Sequence, residues 1–167
     1  MRERPQTVTV RGFVRQRAIC SSETMHALPD PADSGQAVIQ NVPFFVDGLN
    51  FGDVVRLGPP DEIGIRPIDA VVIPSGCVRF LVVTGLHCES DLVAHLACLF
   101  SPHEVRMEIG EGLISVSVHP DREPEEVVFE VFDWFEQQGV PPGDDSVGVS
   151  NLFESEVGPM GYPPALP

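Results

Sequence analysis

The sequence predicts an α+β protein in two halves: a small, strongly bent β-sheet or barrel over residues 1–77, then a mixed half of helices and strands over 78–155. Two observations carry this. Before residue 77 the apolar residues fall in short β-type runs cut by Pro, Gly and Asp clusters. After it, two apolar stripes of helical period alternate with runs of strand period.

In the first half, Thr7–Val10 with Phe13-Val14, Ala37–Ile39, Phe44-Phe45, Asp53–Leu57 and Ile68–Ile73 read as five short strands. The turn signals between them are 29–35 (Pro-Asp-Pro-Ala-Asp-Ser-Gly), Asp47-Gly48 and Gly58-Pro-Pro-Asp61. Five strands at this spacing suit a small barrel. Phe44, Phe45 and Phe51 are expected in its core.

In the second half, Arg79–Thr84 is a continuous apolar run, as in a buried strand. Glu89–Phe100 places Leu92, Val93, Leu96, Leu99 and Phe100 on one helical face, with Ser90 as N-cap and Pro102 beyond the end. Val105, Met107 and Ile109, then Ile114, Val116 and Val118, alternate around Gly110-Glu-Gly112, which predicts a β-hairpin. Pro124 opens a second helix with Val127, Val128, Val131, Phe132 and Phe135 as its buried stripe, and Gly139 stops it. Ser146–Phe153 supplies a last strand. The order β-α-β-β-α-β is that of the ferredoxin-like arrangement. Residues 156–167, rich in proline, are expected to form a disordered tail.

Composition narrows the chemistry. The net charge is −15, and every one of the ten cations is arginine. Five of them (Arg2, Arg4, Arg11, Arg15, Arg17) lie in the first 17 residues beside one acid, Glu3, so the rest of the chain is more acidic still. Such a field repels phosphate backbones, which argues against nucleic acid as a partner. Without lysine there is no Schiff base, no pyridoxal phosphate anchor and no Gly-x-x-x-x-Gly-Lys loop. Neither Gly-x-Gly-x-x-Gly nor Gly-x-Ser-x-Gly occurs. The four cysteines (Cys20, Cys77, Cys88, Cys98) form no Cys-x-x-Cys and are expected as free thiols. No apolar run approaches the roughly 18 residues that span a bilayer, and Met-Arg-Glu-Arg-Pro is followed by no apolar signal core. The expectation is a soluble, cytoplasmic protein without a membrane partner.

Asn41-Val-Pro-Phe-Phe-Val, Phe51-Gly-Asp-Val-Val55 and Pro74-Ser-Gly-Cys-Val-Arg79 follow one another in register. Together they resemble the bacterial family catalogued as domain of unknown function 4265, over about residues 20 to 155. The chain departs from the family pattern at Cys77-Val78, where small polar residues are usual. The resemblance implies no activity, substrate or cofactor.

Within these motifs Asn41, Pro43, Phe44, Gly52, Asp53 and Gly76 are the family-like positions. Gly52-Asp53 at a strand entry calls for an unusual backbone angle and a side chain that accepts local amides. Arg79, a cation in an apolar strand, needs a partner, and Asp53 and Asp69 are the nearest by motif logic. Such a pair would join the two halves; the alternative is an arginine that grips a ligand carboxylate or phosphate. Cys88, near a helix N-terminus with His87 beside it, is the one nucleophile candidate. His87 and His119 end neighbouring antiparallel strands at opposite edges, which argues against a zinc site with Cys88.

Three functions fit: a non-catalytic module that binds a protein or small ligand, a regulatory small-molecule sensor, or a small cofactor-free enzyme of tailoring or cyclising type with a pocket between the halves. The partner is an unidentified protein or small molecule, and a homodimer is compatible with all three.

Overall fold

The computed structural model describes residues 7–14, 21–84, 89–139 and 148–150. They fall into two compact units, one ending at Ser75 and one beginning at Gly76. The proline-rich tail and most of the last expected strand lie outside the described residues, as do His87 and Cys88.

The first unit is a closed barrel of β1 (Val8–Phe13), β2 (Ser22–Pro29), β3 (Gln36–Ile39), β4 (Val54–Leu57) and β5 (Arg66–Ile73) in sequence order. Successive strands pair antiparallel. An up-and-down sheet with an odd number of strands can close only through a parallel pair, and β1 meets β5 in parallel at Val10↔Arg66 and Arg11↔Pro67. Register shifts in the β4–β5 ladder, between Val54 and Val55 and between Arg56 and Leu57, supply the bending that closure needs.

Alternation fills the barrel. Val10, Met25, Ala27, Ala37, Ile39, Val55, Leu57 and Ile68 point inward and are buried together. Two residues of the β3–β4 connection, Val46 and Leu49, join them. Two expectations are corrected here. Phe44-Phe45 is not a strand but part of this connection, and Phe44 and Phe51 are half-buried and outside the core cluster, with only Phe45 packed against it. The strand that takes their place, β2, has a weak apolar signal: only Met25 and Ala27 face inward, between polar Thr24 and His26.

Arg66 fastens the rim of this barrel. Its Nε donates to the carbonyl of Gly58 (2.9 Å), Nη1 to Ser34 (2.6 Å) and Nη2 to Leu57 (3.2 Å). One guanidinium thereby satisfies carbonyls from two separate turns.

In the second unit, β6 (Val78–Val83), α1 (Glu89–Leu99), β7 (Val105–Gly110), β8 (Leu113–Val118), α2 (Pro124–Gln137) and β9 (Gly148–Ser150) follow in that order. The strands form one antiparallel sheet, β7-β8-β6-β9. Phe80 and Val82, with Ile114, Val116 and Val118, share a core with Leu92 and Leu96 of α1 and Val127, Val131, Trp134 and Phe135 of α2. Both helices therefore cover the same sheet face. Trp134 and Phe135 meet edge to face, with ring centroids 5.2 Å apart.

Helix ends differ in detail from expectation. Ser90 lies inside the first turn of α1, which begins at Glu89, and Leu99 is half-exposed rather than part of the buried stripe. In α2, Pro124 takes the first helical position after Glu123, and Trp134 replaces Phe132 among the buried residues. Gly139, at φ +74°, follows the helix end.

One position tests the packing of the barrel. A methyl group on Gly12 of β1 would lie 2.7 Å from Cγ2 of Val46 and 3.0 Å from Cε of Met25. Val46 is branched and fully packed, so it cannot swing away. Gly12→Ala is expected to cost about 1–3 kcal/mol, seen as a lower urea midpoint at unchanged m-value.

Candidate functional site

The family-like residues of the first unit lie on the β3–β4 connection and its supports. Where β3 ends, Asn41 Oδ1 accepts the N–H of His26 (2.8 Å), and the N–H of Gln40 donates to the His26 carbonyl (2.9 Å). Pro43, buried and lacking a donor, comes next. The following amides, of Phe44 and Phe45, both donate to the Glu23 carboxylate on β2, at 2.9 Å each. The connection then inserts Val46 and Leu49 into the core.

Asp53 closes the loop. Its side chain is 1% exposed. One carboxylate oxygen accepts the N–H of Asn50 and the other that of Ser75, each at 2.7 Å. Its own carbonyl accepts the N–H of Ile39 (3.0 Å), and the N–H of Gly52 donates to the Ile39 carbonyl (3.0 Å). Gly52 has φ +82°, and a Cβ there would meet Cβ of Ser75 at 3.2 Å. This is a position for glycine on both conformational and steric grounds. Asn41, Gly52 and Asp53 thus converge on the two ends of one loop, and the carboxylate ties that loop to Ser75, just beyond β5.

Asp69, the other candidate partner of Arg79 by motif logic, is an exposed residue of β5. Its carboxylate oxygen would lie 3.0 Å from a Cβ on Gly58. Gly76, in the second unit, has φ +78° and 3.5 Å of clearance to Pro120, so its backbone angle rather than space selects glycine.

In the second unit, Arg79 is 3% exposed on β6 and points away from the helix-covered face that Phe80 occupies. Ser117 of β8 stands opposite it, and Arg106 of β7 stands opposite Ser117 on the other side, so the three form one row across neighbouring strands. Ser117 is buried, and its hydroxyl has no hydrogen-bond partner.

Two carboxylates escaped the sequence reading. Glu89 Oε1 accepts the N–H of Gly112 (2.9 Å) and the hydroxyl of Thr84 (3.2 Å), tying the start of α1 to the β7–β8 turn. Its own N–H and that of Gly112 hold its pKa below the ordinary value. Glu104, ahead of β7, pairs with Arg122, which also bonds Glu126 (3.0 Å) and lies 5.6 Å over the Phe100 ring. The Arg122 guanidinium first, then the Ser101 amide, lower the Glu104 carboxyl from 4.5 to about 2. Only the Arg122–Glu126 pair, four residues apart, had a sequence signal; the others depend on contacts that folding creates.

Two of the described histidines sit beside acids. His95 lies 3.8 Å from Glu130 across the two helices, and His119 lies 3.3 Å from its neighbour Asp121. Among the described residues no three His, Cys, Asp or Glu side chains cluster as a metal site would require, and no helix is long and apolar enough to cross a membrane.

The architecture defines a class: an α+β protein with a closed five-stranded barrel and a small four-stranded sheet carrying two helices. Residues 23–141 match the family described as Domain of unknown function (DUF4265), and the chain belongs to that family. A solved structure entitled "Novel crystal structure of a hypothetical protein from Neisseria gonorrhoeae" is 20% identical, with a TM-score of 0.57 over 84% of this chain and 92% of that one, a likeness of fold. No curated protein matches the chain.

Two outcomes are expected. Asp53→Ala strands two half-buried amides and should cost on the order of 3 kcal/mol in denaturant unfolding, with Asp53→Asn, which keeps one acceptor oxygen, falling between it and wild type. For Glu104 the folded carboxyl releases its proton at lower pH than the unfolded one, so its contribution is complete above about pH 4.5 and fades as pH falls towards 2. The difference in thermal midpoint between wild type and Glu104→Gln should therefore be constant near neutrality and shrink across that acid window.

Proposed function

We propose that this protein is a non-catalytic, cytoplasmic binding module, in which a small barrel and a ferredoxin-like unit present surfaces to a partner. The order β6-α1-β7-β8-α2-β9 with sheet order β7-β8-β6-β9 supports the ferredoxin-like reading. One observation carries the functional reading: the polar side chains of the family-like motif are turned onto backbone amides. Asn41 takes the amide of His26, and Asp53 takes those of Asn50 and Ser75. Side chains so occupied build a rigid loop rather than offer themselves as acid or base. With a net charge of −15, the partner that such a surface attracts is basic.

A second reading, a sensor of a small anion, is favoured by the Arg79–Ser117–Arg106 row, where a buried hydroxyl with no partner stands between two guanidinium-bearing residues.

Native mass spectrometry of the untagged protein from its own host distinguishes them. A bound basic polypeptide that leaves as salt is raised is the expected result. A small anionic adduct would favour the sensor, and a chain free of foreign mass at low salt would overturn both.

A further inference from the structure

We propose that β7 is a self-pairing edge, through which two copies of this chain join antiparallel strands about a two-fold axis at Met107 into one continuous sheet.

The edge is open in the right places. In the order β7-β8-β6-β9, strand β7 ends the sheet and pairs with β8 alone among the described strands. The N–H of His119 donates to the carbonyl of Glu104 (2.8 Å), which fixes the phase of the ladder. In an antiparallel pair, alternate residues face the partner strand, so Arg106, Glu108 and Gly110 turn their main chain toward β8. Val105, Met107 and Ile109 turn theirs outward. The Val105 N–H is taken by the Ser101 carbonyl (3.0 Å), and its own carbonyl points along the edge.

The strand carries no proline or bulge that would blunt that edge, and its two charges, Arg106 and Glu108, are opposite in sign. Val-Arg-Met-Glu-Ile-Gly contains no proline, and its register against β8 runs without a shift from Val105 to Gly110. Edges that avoid pairing carry prolines, bulges or unmatched inward charges.

The side chains match their own reversal. With the axis at Met107, each Arg106 faces the second copy's Glu108, and each Glu108 its Arg106. Val105 faces Ile109 in the same way. The outward N–H groups of Met107 and Ile109 meet the carbonyls of Met107 and Val105 across the axis. The charged pairs fall at the non-hydrogen-bonded positions, where strands approach most closely, at Cα separations of about 4.5 Å. Ile109, 51% exposed in one chain, is covered by this arrangement. On the same face of the sheet, α1 packs on β7 and carries Leu99, 48% exposed. An isologous contact of this kind closes on itself and does not propagate into fibres.

Light scattering coupled to size exclusion is expected to give twice the 18.2 kDa of one chain. Arg106→Glu places two acids opposite each other at both positions, and Glu108→Arg places two arginines there. Each variant alone should elute as a folded monomer, with unchanged far-ultraviolet circular dichroism. Mixed in equal amounts, the two should recover the dimer mass, because every facing pair is then opposite in sign. The double variant Arg106→Glu/Glu108→Arg should dimerise by itself. A wild-type monomer at high micromolar concentration overturns the proposal. So do single variants that stay dimeric, or a folded mixture that stays monomeric.

Discussion

The barrel unit turns on a single buried carboxylate. Asp53 stands where three pieces of chain meet: the β3–β4 connection at Asn50, the start of β4, and Ser75, the second residue after β5. A connection this long would ordinarily be loose, because its backbone amides lack ladder partners. Here Asp53 and Glu23 supply the acceptors from opposite ends, and the loop between them can push Val46 and Leu49 into the barrel. The apolar core of the first unit therefore depends on polar bonds made outside any strand.

The same use of charge recurs through the chain. Asp30 accepts the amide of Ala32, Asp33 that of Gly35, and Asp61 those of Ile63 and Ile65. Glu89 and Glu104 do so in the second unit. Arginine performs the complementary task, as Arg66 shows with three carbonyls. An acid-rich, lysine-free composition is thus in part a structural device. Carboxylates satisfy amides at turns, and planar guanidiniums satisfy carbonyls with a fork that an ammonium group cannot reproduce.

How much of this was legible in the sequence follows from where the signal lay. The hairpin of β7 and β8 was plain, because Val105, Met107 and Ile109 alternate cleanly with polar neighbours and Gly112 marks the reversal at φ +69°. Both helices were plain from their apolar spacing, although Trp134 was passed over for Phe132. In the barrel, aromatic content misled: Phe44 and Phe45 have strong strand preference, yet their amides belong to Glu23. Strand β2 was hidden because alanine at position 27 is too small to register as core, although it is fully buried. Gly52-Asp53 could be read as a special turn from two letters. The identity of its amide partner, Ser75, lies 22 residues on and follows only from the closed barrel.

That closure also sets a temporal order on the barrel. Four of its five strand contacts join neighbours in sequence, whereas the parallel seam between Val10 and Arg66 must bring together the two ends of the whole sheet. The entropy of closing a loop rises with its length, so the hairpins gain their contacts early and the seam gains its contacts late. Interactions that form after the transition state govern how fast a protein comes apart more than how fast it assembles. The seam pairs themselves, Val10 with Arg66 and Arg11 with Pro67, are thus a brake on opening: they lengthen the lifetime of the folded barrel while leaving its rate of formation almost untouched.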